Sequence, residues 1–139
     1  MESHIADITH AIQLAVAPVF LLTAIATLIN VLSSRLSRVV DRRRFLHSHR
    51  ADSPDDDTEL ALLDRRRKMI YFSIFFAVLA ALLVCLVVAG AFLGALLAFA
   101  VAEVIAGLFV LAMTAMIVAL SLFLREVYLA VRADSERRR

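Results

Sequence analysis

Charge is absent from two long parts of this chain, and that constrains the fold more than any other feature. No Asp, Glu, Lys or Arg occurs between Asp7 and Arg35, and between Lys68 and Arg125 the one charged residue is Glu103. Crossing a hydrocarbon core of roughly 30 Å takes about 20 apolar residues in a helix. The first stretch is long enough for one crossing. The second is too long for a single helix and suits two crossings with a short turn. Inside a bilayer a helix satisfies its own backbone groups, so the expected class is all-α, an integral membrane protein with three transmembrane helices. With 62% hydrophobic residues, the chain is well above the composition of ordinary soluble domains.

A cleaved signal peptide is the competing interpretation of the first stretch. It would need a basic n-region, but Met1 to Thr9 holds no Lys or Arg, and no small-x-small cleavage site leads into a soluble domain. The first span is therefore expected to be retained. All 15 Lys and Arg residues fall in two segments, residues 34–68 and from Arg125 onward. With three spans both segments face one side. Basic residues are held in the cytoplasm, so the N-terminus is expected outside and the C-terminus inside, in a multi-pass protein of the bacterial inner membrane. Tyr71 and Tyr128 fall near the two inner boundaries, where amphipathic rings favour headgroups. A net charge of +2, so locally placed, does not suggest nucleic-acid binding.

The chain reads as one transmembrane domain, residues 1–139, with spans near 9–34, 69–91 and 98–125. Nothing stops the first helix at Ser34, the next breaker is Pro54, and Leu32, Leu36, Val39 and Leu46 keep one side partly apolar, so it is expected to continue to about Leu46. Ser53-Pro54-Asp55-Asp56 reads as a helix start, with a serine cap, proline in the first turn and acids at the positive helix end. Residues 35–68 then form a helical hairpin projecting into the cytoplasm by roughly 20 Å, and residues 126–139 form a tail. Gly90, Phe92 and Gly94 are taken as the external turn, in preference to a Gly-x-x-x-Gly helix contact.

The first span has an unusual polar pattern. In alternating steps of three and four, Thr9, Gln13, Val16, Phe20, Thr23, Thr27, Asn30, Ser34, Ser37, Asp41 and Arg44 fall on one stripe. A 3.5-residue period is the seam of a left-handed bundle. Its polarity keeps it from lipid, so it either packs against helices or lines water. The other two spans offer few polar partners, which points to a homo-oligomer with copies of the first helix around an axis. If that axis is open, Phe20 forms a hydrophobic constriction, with Gln13, Thr23, Thr27, Asn30, Ser34 and Asp41 along the path. If it is closed, the same residues form a polar interface. Pro18 cannot donate to the Leu14 carbonyl, which permits a kink.

The remaining polar residues are less specific. Glu103 lies about 33 Å along a helix from Arg125, at the outer boundary, where with Asp7 it would form an acidic mouth that attracts cations. The basic groups Arg42, Arg43, Arg44 and Arg65, Arg66, Arg67, Lys68 set topology and can hold anionic headgroups, while Asp55, Asp56, Asp57 and Glu59 oppose them across the hairpin. His47, His49 and Asp52 make only a loose metal-like grouping, so no metal site is assigned. Cys85 is the lone cysteine and is expected to be a small packing residue. No nucleophile–base pair, His-Glu-x-x-His or phosphate loop is present, and neither an enzyme nor a cofactor is expected.

Ile12, Gln13, Pro18, Val19, Asn30, Arg35, Leu36, Val39, Asp41 and Arg42, then Asp64-Arg65-Arg66-Arg67 ahead of the second span and Phe123-Leu124-Arg125-Glu126 after the third, form a pattern over nearly the whole chain. That pattern resembles a family of bacterial membrane proteins termed domain of unknown function 2721. The resemblance implies a small inner-membrane protein of about this length and carries no activity. The functional expectation comes from the stripe: an oligomeric pore, conducting cations because its outer side is acidic. The alternative is a non-conducting scaffold that binds a protein partner or lipid through its hairpin.

Overall fold

The computed structural model describes residues 2–48, 54–97 and 102–137, without the side chains of 2–8, 10, 11, 14, 15, 54–57, 95–97 and 133–137. These residues form three α-helices and no strand: α1 (Glu2–Ser48), α2 (Pro54–Leu97) and α3 (Ala102–Arg137). Each contains a segment long and apolar enough to cross a membrane. The protein is therefore a multi-pass membrane protein in architecture. At 1.5 Å per residue the 44 residues of α2 span about 66 Å, roughly twice the hydrocarbon thickness, so much of the helix lies outside it.

The second helix begins at Pro54, where the proline signal places it. The Ser53 cap lies outside the described residues. The first helix passes through Pro18 and reaches Ser48, slightly beyond the expected Leu46. The expected external turn is overturned. Gly90, Phe92 and Gly94 do not form the turn, because α2 continues through them to Leu97. Glycine costs a helix about 1 kcal/mol in water, but in lipid the backbone has no solvent to turn to, and helix is retained. The backbone of Gly90 lies against α3, where an added Cβ would meet Ile105 Cγ1 at 3.6 Å, an ordinary contact.

The helices pack through seven-residue repeats. On α1 the buried positions are Ile25, Leu32 and Val39. On α2 one seam is Leu63, Ile70, Ala77 and Val84, and a second is Ser73, Ala80 and Val87. On α3 it is Ala112, Ala119 and Glu126, joined by Ala115. A 3.5-residue repeat gives left-handed winding with knobs set into holes. With two seams, α2 is the middle helix and packs against both α1 and α3. The α3 seam is mostly alanine, which brings the backbones close. Ser73 Oγ donates to the Ala119 carbonyl at 2.6 Å, a bond that needs such proximity. Toward the basic end, Leu32, Val39, Leu63 and Ile70 form a separate α1–α2 core flanked by Leu36 and Leu46, as the apolar series on α1 anticipates.

The outward faces of α2 and α3 are bulky and apolar. Phe72, Phe75, Val78, Leu82 and Leu86 are exposed on α2, and Val110, Leu111, Ile117, Leu120 and Leu124 on α3. Lipid is the solvent such surfaces need. Cys85 shares the outward side of α2 and is exposed, so it is not the interior packing residue expected. A thiol is apolar enough to face lipid tails at little cost.

Candidate functional site

Two places carry chemistry: the outer face of α1, and the junction where all three helices end their apolar stretches.

Every one of the eleven stripe positions from Thr9 to Arg44 is exposed. The apolar repeat Ile25–Leu32–Val39 takes the opposite side of α1 into the bundle, which leaves the polar repeat outside. Phe20 is 72% exposed. The hydroxyls are satisfied within the helix. Thr23 donates to the Val19 carbonyl, Thr27 to Thr23, Ser34 to Asn30 and Ser37 to Ser33, at 3.0–3.2 Å. This back-bonding supplies the partners that α2 and α3 lack, and it weakens the idea that the whole stripe needs external donors or acceptors. The side chains of Gln13, Asn30 and Asp41 have no such bond among the described residues. Between the stripe positions Ala17, Ala24, Ala26 and Ser33 are also exposed. The outer face of α1 thus sets a polar stripe among exposed Ile12, Val16, Val19, Phe20 and Val31, where those of α2 and α3 are mainly large and apolar.

Glu126 is the centre of the second place and is 0% exposed. Arg35 of α1 donates from an Nη to Oε2 at 3.1 Å. Arg66 of α2 donates from Nε and an Nη to Oε1 at 3.2 and 2.9 Å. One carboxylate of α3 thereby ties down the other two helices. The Arg35 guanidinium also lies 5.2 Å from the Phe123 ring centroid, a cation–π contact. Glu126 was not among the candidate residues from sequence. The signal was present, since it falls seven residues after Ala119 and fourteen after Ala112, on the small face of α3.

Farther along the α1–α2 hairpin, Arg42 Nε donates to Glu59 Oε1 at 3.1 Å. Arg43 Nε lies 3.2 Å from Asp64 Oδ1 but off the line of a hydrogen bond, so that pair is a charge contact only. Arg42, Arg43 and Arg66, expected to face headgroups, are thus engaged in pairs between helices. Arg44, Arg65, Arg67 and Lys68 are exposed and form no ion pair with a described residue. The opposition of Glu59 to the basic cluster is observed, while the side chains of Asp55, Asp56 and Asp57 lie outside the described residues. At the other end of the bundle Glu103 is exposed in the first turn of α3, where the helix dipole favours an acid. The side chain of Asp7, and residues His49 and Asp52, lie outside the described set. Among the described residues no cluster of His, Cys, Asp or Glu could hold a metal ion.

A family model described as "Protein of unknown function (DUF2721)" matches residues 15–135. That range encloses the junction and the stripe from Val16 to Arg44. No curated protein and no solved structure matches the chain.

Proposed function

Because the chain belongs to the DUF2721 family, whose description names no activity, we propose a function from the molecule's own surfaces: copies assemble around the outer face of α1, and their shared axis is a pore for ions. One observation carries this reading. The polar stripe of α1 lies wholly outside the three-helix bundle, while the outer faces of the other helices are mainly bulky and apolar. Polar side chains bond across helices and bulky apolar ones suit lipid, so the stripe of α1 is the face to be covered by protein.

In this assembly Gln13, Thr23, Thr27, Asn30, Ser34 and Asp41 line the path. The back-bonded hydroxyls still offer acceptor lone pairs to a passing cation. Val16 and Phe20 are the apolar positions of the stripe, and a ring of Phe20 side chains closes the axis by excluding water. Cations are favoured by Asp7 and Glu103 at the end away from the basic residues. The basic ends of the helices lie in the cytoplasm and the N-terminus outside, in a bacterial inner membrane, because basic residues stay on the cytoplasmic side.

A second reading has its own support. Because Thr23, Thr27, Ser34 and Ser37 are satisfied by their own helix, they can also sit in a dry contact. The oligomer is then a scaffold, and the α1–α2 hairpin, pinned by Arg42–Glu59, presents Arg44, Arg65, Arg67 and Lys68 to a partner. Ion flux through proteoliposomes of the purified protein separates the two. Flux that changes with Phe20→Ala or Asn30→Ala supports the pore, and an intact oligomer without flux leaves the scaffold.

A further inference from the structure

The three-helix junction has more positive charge than its carboxylate can match. Glu126 offers one negative charge to two guanidiniums, and both of its oxygens are taken, so among the described residues one positive charge is left uncompensated. A guanidinium carries five N–H donors. Arg35 gives one Nη to Glu126, and Arg66 gives Nε and one Nη, so both keep donors in reserve. Their side chains are 37% and 26% exposed over a carboxylate that is fully enclosed. The pairing therefore anchors the inner edges of the two forks and leaves other edges open. The Phe123 ring beneath Arg35 and the Glu126 carboxylate hold the forks in place, so a ligand need not order them.

The depth of the junction identifies the kind of ligand. Arg35 is the first charge after the apolar stretch of α1, Arg66 lies three residues before Met69, and Glu126 follows Arg125, the first charge after Glu103. All three sit where apolar helix gives way to charge, the level of lipid headgroups. Guanidinium forks match the oxygens of a phosphate, and one surplus positive charge matches one phosphodiester. Arg38, Arg65 and Lys68 are exposed nearby in sequence and helical turn, without an ion pair to a described residue. These cations repel the ammonium of a zwitterionic headgroup and leave an uncharged or anionic one favoured.

We infer that the Arg35–Glu126–Arg66 junction is a binding site for the headgroup phosphate of an anionic phospholipid. Glu126 positions the two arginines, the phosphate accepts from their open edges, and the acyl chains keep the phosphate at this depth. The site stands whether or not α1 lines a pore.

The test is lipid retention by the full-length protein in mild detergent, read by native mass spectrometry after exposure to phosphatidylglycerol, phosphatidylcholine or inorganic phosphate. The expected result is one phosphatidylglycerol per chain, held at least about five-fold better than phosphatidylcholine. Arg35→Lys keeps the charge and loses the fork, and it weakens retention about five-fold or more. Arg132→Gln, farther along α3, removes a positive charge away from the junction and leaves retention unchanged. Equal retention of phosphatidylcholine, or an equal fall in Arg132→Gln, overturns the site in favour of diffuse attraction. Thermal stabilisation by inorganic phosphate equal to that by phosphatidylglycerol overturns the lipid assignment. If Arg35→Lys does not fold, Arg38→Gln decides, because it leaves all junction pairs in place. Weaker phosphatidylglycerol retention supports the site, and unchanged retention overturns it.

Discussion

Arg66→Ala should destabilise the bundle more than Arg35→Ala, even though both remove one partner of the same carboxylate. Arg66 makes two hydrogen bonds to Oε1 and has a side chain 26% exposed, whereas Arg35 makes one bond to Oε2 and is 37% exposed. Hydrogen bonds to charged groups contribute about 1.5–3 kcal/mol each, and stripping a partner from a buried charge costs about 3–5 kcal/mol in total. Glu126 is fully enclosed, so Arg66→Ala should reach about 3–4 kcal/mol. Arg35→Ala also loses the contact with Phe123, but water already screens part of this guanidinium, and about 1–3 kcal/mol is expected. The triple variant Arg35→Leu, Arg66→Leu and Glu126→Leu removes every charge together. It avoids a buried carboxylate whose Oε1 has lost its donors and should lie closer to the parent than Arg66→Ala alone. Reversible unfolding in mixed micelles, followed by circular dichroism, measures all three. A triple variant that loses as much as Arg66→Ala and Arg35→Ala together would show that the charges are not coupled. Equal losses for Arg66→Ala and Arg35→Ala would refute the ranking drawn from burial and bond number.

The oligomer is tested by Thr27→Cys in a Cys85→Ala background, where native membranes should yield disulfide-linked dimers, while Leu82→Cys on the lipid-facing side of α2 should not. Absence of crosslinks at Thr23, Thr27 and Asn30 alike would remove the α1 interface. Phe20→Ser should raise resting leak in liposomes and Phe20→Leu should leave it nearly unchanged; unchanged leak and unchanged assembly in Phe20→Ser would refute both readings of the stripe. Ala119→Leu inserts bulk where the Ser73 hydroxyl meets the α3 backbone, and should cost about 1–3 kcal/mol with loss of that bond. For orientation, Ser3→Cys should react with an impermeant thiol reagent from outside and Ser53→Cys should not; external labelling at Ser53→Cys would reverse the topology.

Three helices, the start of α2 at Pro54 and the apolar side of the hairpin at Leu32, Leu36, Val39 and Leu46 were all legible in the sequence. Each depends on a local signal: a long run without charge, a proline, a repeat of apolar residues. The polar stripe of α1 was legible too, because polar residues stand out in an apolar helix. Its position outside the bundle was anticipated only indirectly, from the shortage of polar partners on the other two spans. That position depended on which repeat, Ile25–Leu32–Val39 or Thr23–Thr27–Asn30, the other helices would take. The partners of Glu126 were hidden, since Arg35 and Arg66 are 91 and 60 residues away along the chain. Gly90 and Gly94 misled because a turn signal calibrated on water overstates the cost of glycine where the backbone has no water to bond. In a soluble helix the buried face is the apolar one and can be read directly. In lipid both the packed face and the free face of α2 and α3 are apolar, so only the meeting of alanine with alanine, and of one carboxylate with two guanidiniums, decides which side turns inward.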